Sequence, residues 1–392
     1  MSDLPFDFAM STRIVFGVDS LDRLGRFARE LGATRVLVSS DRGVIEAGHT
    51  ARGIAALEAA GMTATCFDKV HENPSTDDVA AGLELAQQFE PDLLVGLGGG
   101  SSMDCAKGIN FLYTNGGQMK DYWGVGKAQQ PMLPMIAVPT TAGTGSEAQS
   151  FALISDAQTH AKMACGDKKA ACKIALLDPR LTLTQPARVT ALTGIDAMAH
   201  ALETLVTNRW TPISRLFSRE AFRLLATNFP RVLDDPQDLE ARGGMQLGAC
   251  LAGLAIENSM LGAAHGLANP LTAHYGIIHG QAVGLMLPHV IRFNAPQADG
   301  AYHLLLQNGA RHSTGDATGN HLPSVEQGEE GLADFVTQLA ERAGLATKLA
   351  QVGVERSMLP KLAADAAKQW TTSFNPRPAD ADALLELYHQ AF

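Results

Sequence analysis

The sequence predicts an α/β domain built on a parallel sheet, followed by an all-helical domain. Three observations carry that expectation. Short β-rich runs alternate with helical runs through the first 185 residues. Beyond Pro186 the strand signals fade, and apolar residues recur at helical spacing. At 392 residues the chain also exceeds what one ordinary core accommodates.

The elements follow in order. "RVLVSS" (35–40) predicts a strand, with a helix after it from Val44 to Gly61. "TATCFD" (63–68) predicts a second strand, followed by a helix from Thr76 to Phe89. "DLLVGLGGGSSMD" (92–104) reads as a buried strand running into glycines and a helix start, and "PMIAVPTTAGTGSE" (134–147) and "CKIALLD" (172–178) read as further strands. Strands separated by helices of this length give a parallel sheet covered on both faces. "AMAHALETLVT" and "LADFVTQLAERAG" carry helical periodicity in the second half. The expected domains are therefore residues 1–185 and 186–392, with 308–331 as a surface loop in the second.

Composition narrows the function classes. Apolar residues make up 46% and charged residues 18% of the chain, and mean hydropathy is zero, as in a packed globule. A net charge of -10 without a dense Lys/Arg run argues against a nucleic-acid groove. The start lacks a basic segment followed by an apolar one, and no apolar run reaches the roughly 18 residues of a membrane helix. Cys66, Cys105, Cys165, Cys172 and Cys250 form a scattered, odd-numbered set without a CxxC pair. Reduced thiols in a cytoplasmic protein are expected.

Two turns carry candidate cofactor chemistry. Gly96, Gly98, Gly99 and Gly100 stand at the end of a predicted strand, immediately before a helix. Glycine admits a close ligand, and a helix N-terminus offers free N–H groups and the positive end of a dipole, so a pyrophosphate fits there. The glycines lack strict GxGxxG spacing, and a plain strand-to-helix turn is the alternative. A second turn, "PTTAGTGSE", presents Thr140, Thr141, Thr144 and Ser146 as donors to phosphate, ribose or adenine. Two such turns in one sheet predict a dinucleotide crevice. Asp41, beyond the first strand, is placed to accept from ribose hydroxyls and to repel a 2′-phosphate. NAD is the expected cofactor, and NADP stays open because Arg42 stands beside it.

A metal constellation is expected in the second half. Asp196 and His200 lie four residues apart on a helical pattern, so they share a face. Their neighbours, Ala197, Met198, Ala199, Ala201 and Leu202, leave little solvated surface, and a buried carboxylate needs strong compensation. "AAHGLANPLTAHYGIIHG" (263–280) adds His265 and His279. One carboxylate with three imidazoles suits Fe²⁺ or Zn²⁺. His289 is read as structural.

Taken together, "TRIVFG" (12–17), "GGGSSMDCAKG" (98–108), "PTTAGTGSE" (139–147), "LTGIDAMAHALE" (192–203), "HGQAVGLMLPHVIRFN" (279–294) and "NPRP" (375–378) resemble the iron-containing (group III) alcohol dehydrogenases, in that family's order and spacing. The resemblance implies a dehydroquinate synthase-like architecture: a Rossmann-like domain, a helical domain, and an active site in the cleft between them. It implies metal binding by Asp196, His200, His265 and His279. It implies an NAD site lined by Asp41, Asn73, Gly99, Gly100, Ser101, Thr140, Thr141, Thr144 and Lys162, with Gly98 and Ser146 in the same turns. The expected activity is interconversion of a small alcohol and its aldehyde or ketone by hydride transfer. A homodimer or higher oligomer is expected, without nucleic acid or membrane partners. Hydroxyacid–oxoacid transhydrogenase and sugar-phosphate cyclase chemistry are the alternatives on the same fold.

One departure marks this chain. Family members commonly carry a histidine four residues after the third ligand, where this chain has Asn269, and His274 stands at the usual phenylalanine position. Asparagine exchanges no proton near neutral pH, so His274 is the candidate general acid or base. Its alternative role is packing.

Overall fold

The computed structural model describes residues 6–159, 161–310 and 322–392, with backbone alone at 308–310. The chain forms two compact units, one spanning Ala9–Gln185 and one spanning Pro186–Phe392 together with the N-terminal segment that ends at Phe8.

The first unit contains β1 (Arg13–Phe16), β2 (Arg35–Asp41), β3 (Thr63–Val70), β4 (Leu93–Gly98), β5 (Gly124–Val125), β6 (Met135–Pro139), β7 (Phe151–Ser155), β8 (Lys162–Gly166) and β9 (Ile174–Leu177). Its α-helices are α1 (Leu24–Glu30), α2 (Arg42–Glu46), α3 (His49–Ala59), α4 (Thr76–Phe89) and α5 (Gly100–Asn115). Six strands pair in the order β1-β9-β6-β4-β2-β3, all parallel.

Alternation along the strands divides the core into two layers. Val36, Val38, Val95 and Leu97 pack with Leu24 and Phe27 of α1 and Leu57 of α3. Leu37, Leu94 and Met135 pack with Val79 of α4 and Met103 and Ile109 of α5. The central strands are thus buried on both sides, which explains why β4 reads as an unbroken apolar run. The chain leaves β2 for β3 on one side, and leaves β4 for β6 on the other. Strand order therefore reverses between β2 and β4, and the crevice outside their carboxyl ends is where open α/β sheets bind ligands.

The structure differs from the sequence expectation at three places. The helix expected over 44–61 is two helices, because Gly48 adopts a left-handed conformation, φ 81°, between α2 and α3. A second sheet, in the order β5-β8-β7, includes an antiparallel hairpin that the sequence reading leaves out. The segment 308–331 is not loop throughout. It begins in the last turn of the helix Ala301–Ala310, and Gly328 already opens another helix; residues 311–321 lie outside the described part.

The second unit comprises α6 (Ala187–Val206), α7 (Pro212–Asp234), α8 (Leu239–Glu257), α9 (Ala263–Tyr275), α10 (His279–Asn294), α11 (Ala301–Ala310), α12 (Gly328–Arg342), α13 (Leu359–Ala366) and α14 (Ala381–Gln390). Helix α6 runs through its centre, packed by α7, α8, α10 and α12. It is buried along nearly all its length from Thr190 to Val206, so the polar groups it carries are buried with it. Among the described residues no helix is long and apolar enough to cross a membrane. The five cysteines form no disulfide; burial pushes the Cys66 and Cys165 thiols up to about 12 and Cys172 to about 11.

Candidate metal centre and dinucleotide cradle

Three helices deliver side chains to one point. Helix α6 contributes Asp196 and His200 from adjacent turns, α9 contributes His265 from its first turn, and α10 contributes His279 as its first residue. Close packing makes this possible: a Cβ at Gly280 would lie 2.2 Å from the Leu192 carbonyl oxygen of α6. Only glycine lets the start of α10 approach that backbone.

The Nε2 atoms of His265, His200 and His279 lie 3.4, 3.5 and 3.7 Å from Asp196 Oδ1. Ligand atoms of Asp196, His265 and His279 all fall within 4.8 Å of one another. The His200 and His265 rings stack with centroids 4.9 Å apart, and His279 tilts against His265 at 5.3 Å. Asp196 Oδ1 and His265 Nε2 are buried without a hydrogen-bond partner, an expensive arrangement for a carboxylate.

Both features fit a cation. Donor atoms about 2.1 Å from a shared tetrahedral ion lie about 3.4 Å from each other, close to the observed spacing. Electrostatics agree. Burial pushes the Asp196 carboxyl up, but His200, His265 and His279 outweigh it and hold it far below the usual range. Burial disfavours a charged His265, yet Glu203 and Asp196 raise it to about 9. The pocket demands positive charge, and the nitrogen donors suit Fe²⁺ or Zn²⁺ better than hard cations.

Asn269 and His274 part company on α9. At about 100° per residue, Asn269 lies about 40° round from His265 and His274 about 180°. Asn269 Nδ2 donates to Gln369 Oε1 at 3.0 Å. His274 Nε2 lies 3.0 Å from Asp365 Oδ2, on the helix face opposite His265, its side chain one-third exposed. His289 is pushed down to about 4, chiefly by burial and then by Arg292, so it stays neutral.

In the first unit the two predicted turns touch. They leave the adjacent strands β4 and β6, and Thr140 N–H donates to the Gly98 carbonyl at 3.0 Å. A Cβ at Gly100 would lie 2.7 Å from Thr144 Cγ2, and one at Gly99 would lie 3.4 Å from Thr141 Cγ2. Gly99 caps α5 with no side-chain hydrogen bond, the arrangement in which an anion can serve as the cap. Asp41 ends β2 beside this turn: one carboxylate oxygen accepts from Val44 N–H, and the other accepts from Ser102 Oγ at 3.0 Å. Asn73, at φ 52°, donates its N–H to Ser101 Oγ, so these two also meet near the start of α5. Lys162 opens β8, and its charge acts on Asp104.

Ser146 is engaged differently from the sequence expectation. Its hydroxyl donates to Asp104 Oδ1 at 2.6 Å and accepts from Lys107 Nζ at 2.8 Å. A hydroxyl has one proton, so none is left for a cofactor. The Nζ of the fully buried Lys107 also lies 2.7, 2.9 and 2.9 Å from the carbonyl oxygens of Ser146, Gln149 and Phe151, so its three protons are shared among four acceptors. Asp104 and Lys107 thereby lock the second turn onto α5. Both residues lie within "GGGSSMDCAKG", and their contacts with Ser146 span about 40 residues, too far apart for a sequence pattern to show.

A doubly wound sheet with glycine turns at its switch point offers a cradle for a dinucleotide, and a separate helical unit with a buried carboxylate–imidazole cluster offers a cation site, the two features a metal-dependent oxidoreductase requires. Comparison with known proteins makes this specific. The model of iron-containing alcohol dehydrogenases matches residues 11–179, and that of the family's C-terminal domain matches residues 190–392. Alcohol dehydrogenase 4 of Schizosaccharomyces pombe is 34% identical over 96% of this chain and 87% of its own length. The 1,3-propanediol dehydrogenase of Klebsiella pneumoniae is 30% identical over the whole of both chains. A sulfoacetaldehyde reductase from Bifidobacterium kashiwanohense, solved in complex with NAD+, superposes with a TM-score of 0.87 at 26% identity, covering 99% of each chain. The chain belongs to the iron-containing alcohol dehydrogenase family, and it is an oxidoreductase acting between alcohols and carbonyl compounds.

Proposed function

We propose that this protein interconverts a short, oxygen-bearing alcohol and its carbonyl counterpart, with NAD held at the glycine turns and Fe²⁺ or Zn²⁺ held by Asp196, His200, His265 and His279. One observation carries the metal assignment: three imidazole Nε2 atoms surround a single buried carboxylate oxygen that accepts no hydrogen bond. When bound, the cation supplies Lewis acidity at the substrate oxygen and the nicotinamide supplies or accepts the hydride.

The chain's own residues bind and orient. Asp196 supplies charge compensation and the imidazoles supply nitrogen donors. The start of α5, with Thr141 and Thr144 beside it, takes the pyrophosphate, Asp41 takes ribose hydroxyls, and Asn73, Ser101, Thr140 and Lys162 complete the wall. Ser146 holds the turn together. Asn269 lies on the His265 face of α9 and offers an amide to a substrate hydroxyl, which favours a diol or hydroxyaldehyde over a plain alkanol. The 1,3-propanediol dehydrogenase among the relatives supports that preference. His274 we read as a surface partner of Asp365.

The five unbridged cysteines support a reducing compartment such as the cytoplasm. A homodimer, expected from the resemblance, is checked by light scattering. The activity is tested by removing metal with a chelator, reloading with Fe²⁺, Zn²⁺ or Mg²⁺, and assaying alcohols, diols and aldehydes with NAD and NADP. Activity should return with Fe²⁺ or Zn²⁺, and not with Mg²⁺. Equal turnover by the metal-free protein would overturn the reading.

A further inference from the structure

Glu203 is a carboxylate with no role in the reading above, buried to 3% exposure on α6. It follows Asp196 by seven residues, about 20° short of two full turns, so it shares the ligand face of α6. Its two oxygens do separate work. Oε1 accepts the Ala264 N–H at 2.7 Å, and Oε2 accepts from His265 Nδ1 at 2.5 Å. The neighbouring N–H, that of Ala263, donates to Asn375 Oδ1 at 3.1 Å. Asn375 in turn exchanges amide hydrogen bonds with Asn294, the last residue of α10, at 2.7 and 3.0 Å. One buried polar chain thus ties together α6, α9 and α10, the three helices that deliver the cluster.

We propose that Glu203 is a positioning residue of the metal centre. By accepting the Nδ1 proton, its carboxylate holds His265 in the tautomer whose Nε2 lone pair faces the cation, and the same group anchors the α9 N-terminus that carries His265. The inference rests on the metal assignment above. Both partners of Glu203 are donors, so two acceptor oxygens are required. Glutamine fills the same volume but offers one acceptor and one NH₂. Its NH₂ must either face the Ala264 N–H or donate to Nδ1, and the second choice moves the imidazole proton to Nε2, where a ligand lone pair is needed. Charge points the same way: Asp196 and Glu203 together balance a dication, and glutamine leaves an excess positive charge.

The test is Zn²⁺ affinity, measured by competition with a chromophoric chelator in the parent, Glu203→Gln, Glu203→Asp and His265→Ala proteins, with circular dichroism confirming the fold. Loss of an outer carboxylate partner weakens metal binding by about 10–100-fold, so Glu203→Gln should fall in that range. Glu203→Asp, which keeps the charge but shortens the reach, should fall between it and the parent. Parent-like affinity in Glu203→Gln overturns the proposal. So does an aspartate variant weaker than the glutamine one, because a side chain that merely fills space is best replaced by its isostere. If Glu203→Gln does not fold, Glu203→Asp decides alone: affinity equal to the parent overturns the proposal. His265→Ala separates the two levels, since parent-like Zn²⁺ affinity there removes the metal assignment itself, and the role of Glu203 with it.

Discussion

The two candidate sites are built from different materials. In the α/β unit the cradle is mostly backbone: a helix start without a side-chain cap, a Gly100 with no room for a Cβ, and two turns leaving neighbouring strands. In the helical unit the centre is entirely side chain, gathered from three helices onto one carboxylate oxygen. A backbone site follows from local chain geometry and is damaged by steric intrusion. A side-chain site depends on long-range packing and is damaged by deleting a single group.

The largest expected effect is therefore deletion at the helical site. His279→Ala should lower bound metal to near zero by elemental analysis and reduce kcat about a thousandfold, about 4 kcal/mol of lost transition-state stabilisation. Affinity for NAD, carried by the other unit, should remain. If NAD affinity collapses along with the metal, the contrast between the two sites is wrong.

Steric intrusion should act on the other site alone. Gly100→Ala places a methyl group 2.7 Å from Thr144 Cγ2, and overpacking of this kind costs about 1–3 kcal/mol. The KM for NAD should rise about tenfold or more while metal content stays constant. A variant with normal KM would show that the two turns can separate freely.

Cofactor choice gives a smaller effect and needs a carefully chosen substitution. Asp41 also caps α2 through Val44 N–H, so truncating it costs about 1 kcal/mol of helix stability. Asn caps about as well and carries no charge. Asp41→Asn should narrow the NAD-over-NADP ratio in kcat/KM about tenfold with stability unchanged. A parent protein that already prefers NADP would show that Arg42 governs this turn.

The same contrast explains what was legible in the sequence. Elements set by local signals were readable. The helix Thr76–Phe89 starts at a Ser75/Asp78 capping box, and the apolar run of β4 declares a doubly buried strand. The iron-containing alcohol dehydrogenase family was legible because its motifs run through both units. The β7–β8 hairpin was harder: Phe151–Ser155 reads FALIS, four apolar residues in a row, and its alternating burial exists only once the second sheet has formed. Glu203 was not readable at all: its partner Ala264 lies 61 residues away, and only the packing of α9 on α6 brings them together. His274 shows the limit in the other direction. Its chemistry suggested a proton donor, and only the register of α9 shows which face it occupies.

The smallest expected effect is on that residue and its partner. Asp365 is held down to about 2, first by the Lys361 ammonium, which with His274 and Lys368 outweighs the opposing effect of burial. A carboxyl depressed below its unfolded value of 3.8 contributes stability above that pH, and the contribution fades as pH falls toward 2. Ion pairs at the protein surface are worth about 0–1 kcal/mol each, and His274 is one partner of three. His274→Phe should therefore cost about 0.5 kcal/mol or less in urea unfolding at pH 7, with metal content, substrate ranking and the pH–rate profile all as in the parent. Asp365→Asn, which loses all three partners at once, should cost more at pH 7 than at pH 3. A His274→Phe protein with a shifted pH–rate profile would return this histidine to the active site, and would mean that α9 turns further in the working enzyme than the Asp365 contact allows.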